Sequence, residues 1–206
     1  MKKKIAILGS TGSIGKSLLN IISKDQNSFQ IELLTANKNY KLLLQQSKKF
    51  KVKKVILTDK QKFEKYKFLF EKNKIKIFSN FKNINKIFSG KVDYTMSAIV
   101  GIDGLYPTVN LIKYTKKIAI ANKESIICAW NIINKELKKH KTYFVPVDSE
   151  HFSIWYSIKN KQKNNINKIF LTASGGPLLN IKKKYFNNLK ISQITKHPNW
   201  NMGKKI

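Results

Sequence analysis

The chain has 206 residues, 42% of them hydrophobic and 25% charged, with a formal net charge of +30. The apolar fraction excludes a disordered chain, no apolar run approaches the roughly 20 residues of a membrane span, and a single cysteine, Cys128, excludes an intrachain disulfide. The length suits one large domain, or one domain with part of a second.

The start, Met1-Lys2-Lys3-Lys4 before Ile5-Ala6-Ile7-Leu8, has the basic flank of a signal peptide, but Gly9-Ser10-Thr11-Gly12 ends the apolar run at once. An h-region needs about 7–15 apolar residues, so the expectation is a soluble cytoplasmic protein with no membrane partner. Forty-one basic residues face 11 acids, yet every one is Lys. Bidentate reading of guanine and phosphate favours Arg, and the lysines run from Lys2 to Lys205 rather than forming a patch. No specific nucleic-acid partner is expected.

In chain order, short apolar runs alternate with amphipathic stretches. Residues 4–8 read as a strand and 13–23 as a helix with Ile14, Leu18, Leu19, Ile21 and Ile22 inward. Strands follow at 30–35 and 52–57, separated by a helix through Leu42, Leu43 and Leu44. A helix over 60–73 leads to a short strand at 75–78. Strands at 92–97, 117–121 and 142–147 each precede a helical segment, and one more strand is predicted at 166–172 before a polar tail. This rhythm predicts an α/β, Rossmann-like, mostly parallel sheet with helices on both faces, and a boundary near Val147.

The first strand runs into Gly9-Ser10-Thr11-Gly12-Ser13-Ile14-Gly15, which opens the first helix. Glycines there let a dinucleotide pyrophosphate approach the backbone, and the N–H groups of the helix start hold its charge. A ligand-free βα turn would look similar, but the strand before and the helix after supply the context the motif requires. An NAD enzyme usually carries Asp or Glu at the end of the second strand, for the ribose hydroxyl. Here Ala36-Asn37-Lys38-Asn39 has no acid, and Glu32 lies inside the strand, so NADP is favoured over NAD.

Asp148-Ser149-Glu150 sits at another strand end. Two hard carboxylates two residues apart can turn to one Mg²⁺ or Mn²⁺; equally, Asp148 or Ser149 can cap a helix with Glu150 in its first turn. Asn122-Lys123-Glu124-Ser125 follows the strand predicted at 117–121. Ser174-Gly175-Gly176-Pro177 reads either as a phosphate-binding nest or as a plain turn. The segment His197-Pro198-Asn199-Trp200-Asn201-Met202-Gly203 could close as a lid over 196–204 or be a tail. A short-chain reductase is a poorer reading, because none of Tyr40, Tyr66, Tyr156 and Tyr185 has Lys four residues on. A basic, non-catalytic binding module is the rival from another class, separable by steep salt dependence.

The runs ILGSTGSIG, SAIVGIDGL, IANKES, PVDSEH, SGGP and HPNWNMGKKI, in this order, resemble the 1-deoxy-D-xylulose 5-phosphate reductoisomerase family across essentially the whole chain. The resemblance implies an NADPH- and Mg²⁺- or Mn²⁺-dependent enzyme that rearranges and reduces that sugar phosphate to 2-C-methyl-D-erythritol 4-phosphate. It implies Thr11, Gly12, Ser13 and Ile14 at the pyrophosphate, Asn37, Lys38 and Asn39 at the adenosine 2′-phosphate, and Asn122 and Glu124 near the nicotinamide. Gly203 would touch the cofactor from the lid, and Asp148 and Glu150 would ligate the metal. Lys123, Ser149, Glu150, Ser174 and His197 would contact the substrate, with Trp200 and Met202 covering it. Lys123, Asp148, Glu150 and His197 would be the catalytic set. The implied division is a cofactor domain over 1–147 and the start of an α+β catalytic domain over 148–206. The family supplies a third metal-ligating Glu after the lid, and no acid follows Glu150 here. The expectation is therefore an N-terminal portion with little activity by itself, from a family whose full-length members form homodimers.

Overall fold

Ile, Val and Leu at successive positions cannot alternate with a polar face, so such runs form strands that need cover on both sides. In a computed structural model that describes residues 1–159, 166–172 and 176–194, they form seven strands. These are β1 (Lys3–Leu8), β2 (Phe29–Ala36), β3 (Lys54–Leu57), β4 (Lys76–Phe78), β5 (Val92–Ser97), β6 (Thr115–Ile120) and β7 (Tyr143–Pro146). Every pairing is parallel, in the order β4-β3-β2-β1-β5-β6-β7. The helices between them are α1 (Ser13–Lys24), α2 (Tyr40–Lys49), α3 (Lys60–Lys72), α4 (Leu105–Ile112), α5 (Lys123–Lys139) and α6 (Ser149–Ile158).

The register sorts the core into two faces. Ile5, Ile7, Leu34, Val55, Leu57, Met96 and Ala119 pack with Leu19 and Ile22 of α1, Leu43 of α2 and Phe70 of α3. On the other face, Ala6, Leu8, Leu33 and Ile56 meet Leu111 of α4, while Ile118 and Ile120 meet Ile133 and Leu137 of α5. The doubly covered α/β sheet expected from the sequence is the one observed, and it is wholly parallel. Residues Met1–Lys159 form this compact unit.

Three helix ends share one device. Lys51, Lys74 and Lys141 take positive φ of 54°, 57° and 50° directly after the caps of α2, α3 and α5. The next residue then donates back into the helix, Val52 to Ser47 O at 2.8 Å, Ile75 to Phe70 O at 3.0 Å and Thr142 to Leu137 O at 2.9 Å. This is the Schellman closure, in which glycine normally takes the left-handed position. It explains why β3 begins at Lys54 and not at Val52, whose N–H is already used.

Two sequence expectations need correction. Ile14 and Ile21 are 38% and 62% exposed, because α1 buries the stripe Gly15, Leu19 and Ile22 and leaves the neighbouring stripe at its flank. The strand predicted at 166–172 is absent: that segment joins no ladder, and Ile169, Phe170 and Leu171 are exposed. Strand propensity without a partner edge does not make a strand. The second unit, Asn160–Ile206, shows among its described residues 3₁₀ turns at Gly176–Leu178 and Lys183–Asn188 and a short α7 (Ile191–Ile194), with none of them buried. Among the described residues no helix is long and apolar enough to cross a membrane.

Candidate functional site

Chain order reverses between β1 and β5, so the connections from these two strands leave in opposite directions and open a crevice at their carboxyl ends. The glycine loop lies there. Gly9 has φ +79°, and a Cβ on it would sit 2.7 Å from Ala98 O, so only glycine lets β1 turn this close to the chain leaving β5. A Cβ on Gly15 would strike Gly9 O and lie 2.6 Å from Ser10 Cα, which is how α1 sits tightly on the loop. Gly12 differs: the nearest atom to its would-be Cβ is Gly9 O at 3.4 Å. Gly12 also N-caps α1 with no side-chain hydrogen bond, so the first-turn N–H groups have no capping partner. The loop is held from β2, where Thr35 Oγ1 accepts from Gly9 N at 2.9 Å and Thr35 O from Ser10 N at 2.9 Å.

A cleft of about 620 Å³ opens over this loop, lined by Gly9, Thr11 and Gly12, by Thr35 and Ala36 at the end of β2 and Asn37 after it, by Thr58 after β3, and by Ala98, Ile99, Val100 and Asp103 after β5. At its β2 side Asn37 Nδ2 donates to Thr58 Oγ1 at 2.8 Å, and Asn39 N-caps α2 by accepting from Leu42 N at 3.1 Å. Lys38 between them is exposed. Glu32 lies within β2, 3.9 Å from Lys4 Nζ. None of the lining residues contributed by β2 and the residue after it is a carboxylate; the acid that lines the cleft, Asp103, comes from the segment after β5.

Across the reversal, Asn122 caps α5 and is 3% exposed. Its Oδ1 accepts from Ser125 N at 2.7 Å, while Nδ2 donates to Ile99 O and, at 2.6 Å, to Gly101 O. The loop after β5 is thereby tied to the end of β6, and Gly104 is required beneath it, since a Cβ there would run into the Asn122 amide. Lys123 is exposed and Glu124 half-buried in the first turn of α5.

One strand further out, Asp148 N-caps α6. Its Oδ1 accepts from His151 N at 3.0 Å and bonds His151 Nδ1 at 2.6 Å. Partial burial pushes the Asp148 carboxyl up, but the two His151 hydrogen bonds and the imidazole charge together outweigh it and hold it below the usual carboxylate range. Glu150 is exposed in the same first turn, with Oε2 accepting from Ser149 Oγ at 2.9 Å. From β1 to β7 is three strand steps, roughly 14–15 Å at about 4.8 Å each.

The sequence model of 1-deoxy-D-xylulose 5-phosphate reductoisomerase matches residues 5–130, and that of the C-terminal domain of the same enzyme matches 144–206. The chain belongs to the 1-deoxy-D-xylulose 5-phosphate reductoisomerase family. It is 61% identical over 206 residues to the reductoisomerase of Pelagibacter ubique (strain HTCC1062), covering 99% of this chain and 53% of that one. Against the Clostridium tetani reductoisomerase it is 42% identical, covering 99% and 54%. The chain thus spans about half the length of the curated relatives it matches. Among solved structures, a reductoisomerase in complex with NADPH, fosmidomycin and magnesium superposes with TM-score 0.82 at 32% identity, over 98% of this chain and 52% of that one. The Zymomonas mobilis reductoisomerase in complex with NADPH gives 0.80 at 31%, over 88% and 48%.

Against the residues that the reductoisomerase resemblance implies, the structure sorts as follows. Thr11, Gly12 and Asn37 line the cleft; Ser13 and Ile14 form the first turn of α1, and Lys38 and Asn39 lead into α2 beside it. Asn122, Lys123 and Glu124 stand at the end of β6, and Asp148, Ser149 and Glu150 at the end of β7, outside the cleft lining. Ser174, His197, Trp200, Met202 and Gly203, with the predicted lid, lie outside the described residues. Sequence reasoning passed over Thr35, Thr58, Ile99 and Val100. Ile99 and Val100 were within reach, since residues directly after a strand at the reversal of chain order are where such sheets take ligands.

Proposed function

We propose that this chain carries the NADPH-binding part, over residues 1–147, and the beginning of the metal- and substrate-binding part, from residue 148, of an enzyme converting 1-deoxy-D-xylulose 5-phosphate to 2-C-methyl-D-erythritol 4-phosphate. The observation that carries the reading is the cleft at the β1/β5 reversal, bordered by an uncapped helix start and by Gly12, whose missing side chain leaves the backbone open to a phosphate. A dinucleotide fits these groups. Thr11, Gly12, Ser13 and Ile14 would hold its pyrophosphate, and Lys38, with Asn37 and Asn39, would meet a 2′-phosphate where an NAD enzyme would place an acid. Asn122 would stand near the nicotinamide as the brace of that region, its two amide protons already spent on Ile99 O and Gly101 O.

A divalent cation fits in donor chemistry: Asp148 and Glu150 offer hard oxygens at one strand end, and both His151 bonds fall on Asp148 Oδ1 rather than Oδ2. Among the described residues no group of three or more His, Cys, Asp or Glu gathers there, so most of the shell would come from other oxygens. When bound, NADPH would supply the hydride and the cation would polarise the substrate carbonyl. The chain's residues bind and orient: Lys123 would meet the anionic substrate, Ser149 orients Glu150, and His151 keeps Asp148 ionised. Ser174, His197, Trp200 and Gly203 complete the reading as substrate and lid contacts.

Titration with NADPH and NADH at about 0.15 M salt, where the non-specific pull of the +30 charge is screened, tests it. NADPH should bind about tenfold or more tighter than NADH, and Lys38→Met should erase most of that difference. Equal affinities, or binding that vanishes with salt, would reject the reading.

A further inference from the structure

The glycine loop is gripped from below by a side chain three elements away in sequence. Gln46, on the inner face of α2 and 7% exposed, forms a closed pair with Ser10, which is fully buried. Ser10 Oγ donates to Gln46 Oε1 at 2.8 Å, and Gln46 Nε2 donates to Ser10 O at 3.0 Å. Ser10 N is also fixed, on Thr35 O at 2.9 Å. A buried amide in an α/β core costs free energy unless satisfied, and this one is satisfied only by the loop.

We propose that Gln46 is a positioning residue for the dinucleotide pyrophosphate, acting through the Ser10–Thr11 peptide. That peptide is planar and trans, so its C=O and N–H point in opposite directions. Gln46 draws the Ser10 carbonyl down toward α2, which turns the Thr11 N–H up toward the cleft lined by Thr11 and Gly12. The same helix is N-capped by Asn39, next to Lys38, so α2 sets the spacing between the phosphate-facing loop and the end of β2. The hydroxyl of Ser10 is held as well, between Gln46 Oε1 at 2.8 Å and Thr35 O at 3.3 Å. The inference rests on the reading of the glycine loop as a dinucleotide site.

The test is cofactor titration of the whole chain and two variants, each at a temperature where far-UV circular dichroism shows it folded. Gln46→Leu keeps the bulk and deletes both bonds; NADPH and NADH should both weaken about tenfold, the loss of one well-aimed N–H to a charged group, with their ratio unchanged. Gln46→Glu carries the test should the first variant not fold. Its buried carboxyl repels Ser10 O when ionised and donates to it when protonated, so NADPH affinity should recover toward the parent's as pH falls from about 8 to about 5.5. Unchanged affinity in folded Gln46→Leu, a loss confined to NADPH, or a Gln46→Glu profile parallel to the parent's would each overturn the proposal. If the parent chain itself does not bind NADPH, it is the dinucleotide reading that fails.

Discussion

Gly12 and Gly15 belong to the same motif, three residues apart, and the structure gives them opposite jobs that one pair of substitutions separates. In Gly15→Ala the new methyl would meet the Gly9 carbonyl and lie 2.6 Å from Ser10 Cα and 2.8 Å from Ser10 C, all backbone atoms that no rotamer change can move. Restoring ordinary contact requires α1 and the loop to part by roughly 1 Å. Overpacking of this kind costs about 1–3 kcal/mol, against about 1 kcal/mol gained from alanine's helix propensity, so the fold should lose up to about 2 kcal/mol. For a chain of this size that is a Tm fall of up to about 8 °C. In Gly12→Ala the methyl lies 3.4 Å from Gly9 O at φ −76°, an ordinary contact in ordinary backbone. A poorer N-cap and a stiffer unfolded chain nearly cancel, leaving stability within about 0.5 kcal/mol. The methyl does, however, occupy the approach to the first-turn N–H groups, and NADPH affinity should fall about tenfold. Urea unfolding followed by circular dichroism and NADPH titration by fluorescence give the two readouts. A Gly12→Ala variant as unstable as Gly15→Ala with cofactor binding intact would refute the division of labour.

Three further outcomes follow from the same packing. Replacing Lys51, Lys74 or Lys141 with glycine relieves a left-handed conformation worth about 1–2 kcal/mol and gives back part of it as unfolded-state entropy; each should raise stability by about 0.5–1 kcal/mol in urea unfolding. Asn122→Ala removes a cap worth about 1 kcal/mol and strips two carbonyls of their donor, so unfolding should show a loss of about 2–4 kcal/mol; a loss below about 0.5 kcal/mol would mean the brace between β5 and β6 is dispensable. Asp93 is held below the usual carboxylate range by the Lys116 ammonium at 2.8 Å and then by the Lys4 N–H at 2.8 Å. A depressed folded-state pKa contributes stability above the unfolded value, about 3.9, and loses it as pH falls through the folded one. Asp93→Asn should therefore flatten the stability profile below about pH 5, by no more than about 1 kcal/mol given the exposure of the pair.

The sheet was legible because buried parallel strands announce themselves as unbroken apolar runs: Ile5 to Leu8, Val55 to Leu57 and Ile118 to Ile120 could form little else. Helix ends were harder to read. Glycine usually marks the left-handed residue after a helix, and here lysine stands in that place three times, so the predicted third strand starts at Val52 although its N–H is committed to Ser47 O. The glycine loop was legible as a tight turn between a strand and a helix, since the strand, the loop and the helix are contiguous. What braces the loop was not. Thr35, Gln46 and Asn122 reach their partners across 21 to 36 residues of sequence, and each is a polar side chain whose type says nothing of where it points. The strand expected at 166–172 marks the opposite limit. Ile169, Phe170 and Leu171 carry the propensity, but a strand is a relation between two edges and the run alone cannot state the second.

Asp148 shows how two rival readings of one residue can be parts of a single device. As a sequence, Asp148-Ser149-Glu150 suits a cap and a cation equally. In the structure the cap is made, and made on one oxygen: His151 N and His151 Nδ1 both bond Oδ1. Capping fixes the carboxylate plane against α6 and, by favouring the charged form, keeps the group ionised. A cation ligand needs both of these, a fixed direction and a full charge, and it needs an oxygen that the cap does not consume. Glu150, one step inside the same helix, is oriented by Ser149 through Oε2 in the same way. On the proposed function, the helix start at the end of β7 is what aims the two carboxylates, just as the uncapped start of α1 aims its N–H groups. On that reading one sheet presents a helix terminus for an anion and, three strands away, another whose side chains would serve a cation. Reducing a sugar phosphate with a charged dinucleotide requires both polarities at the same edge.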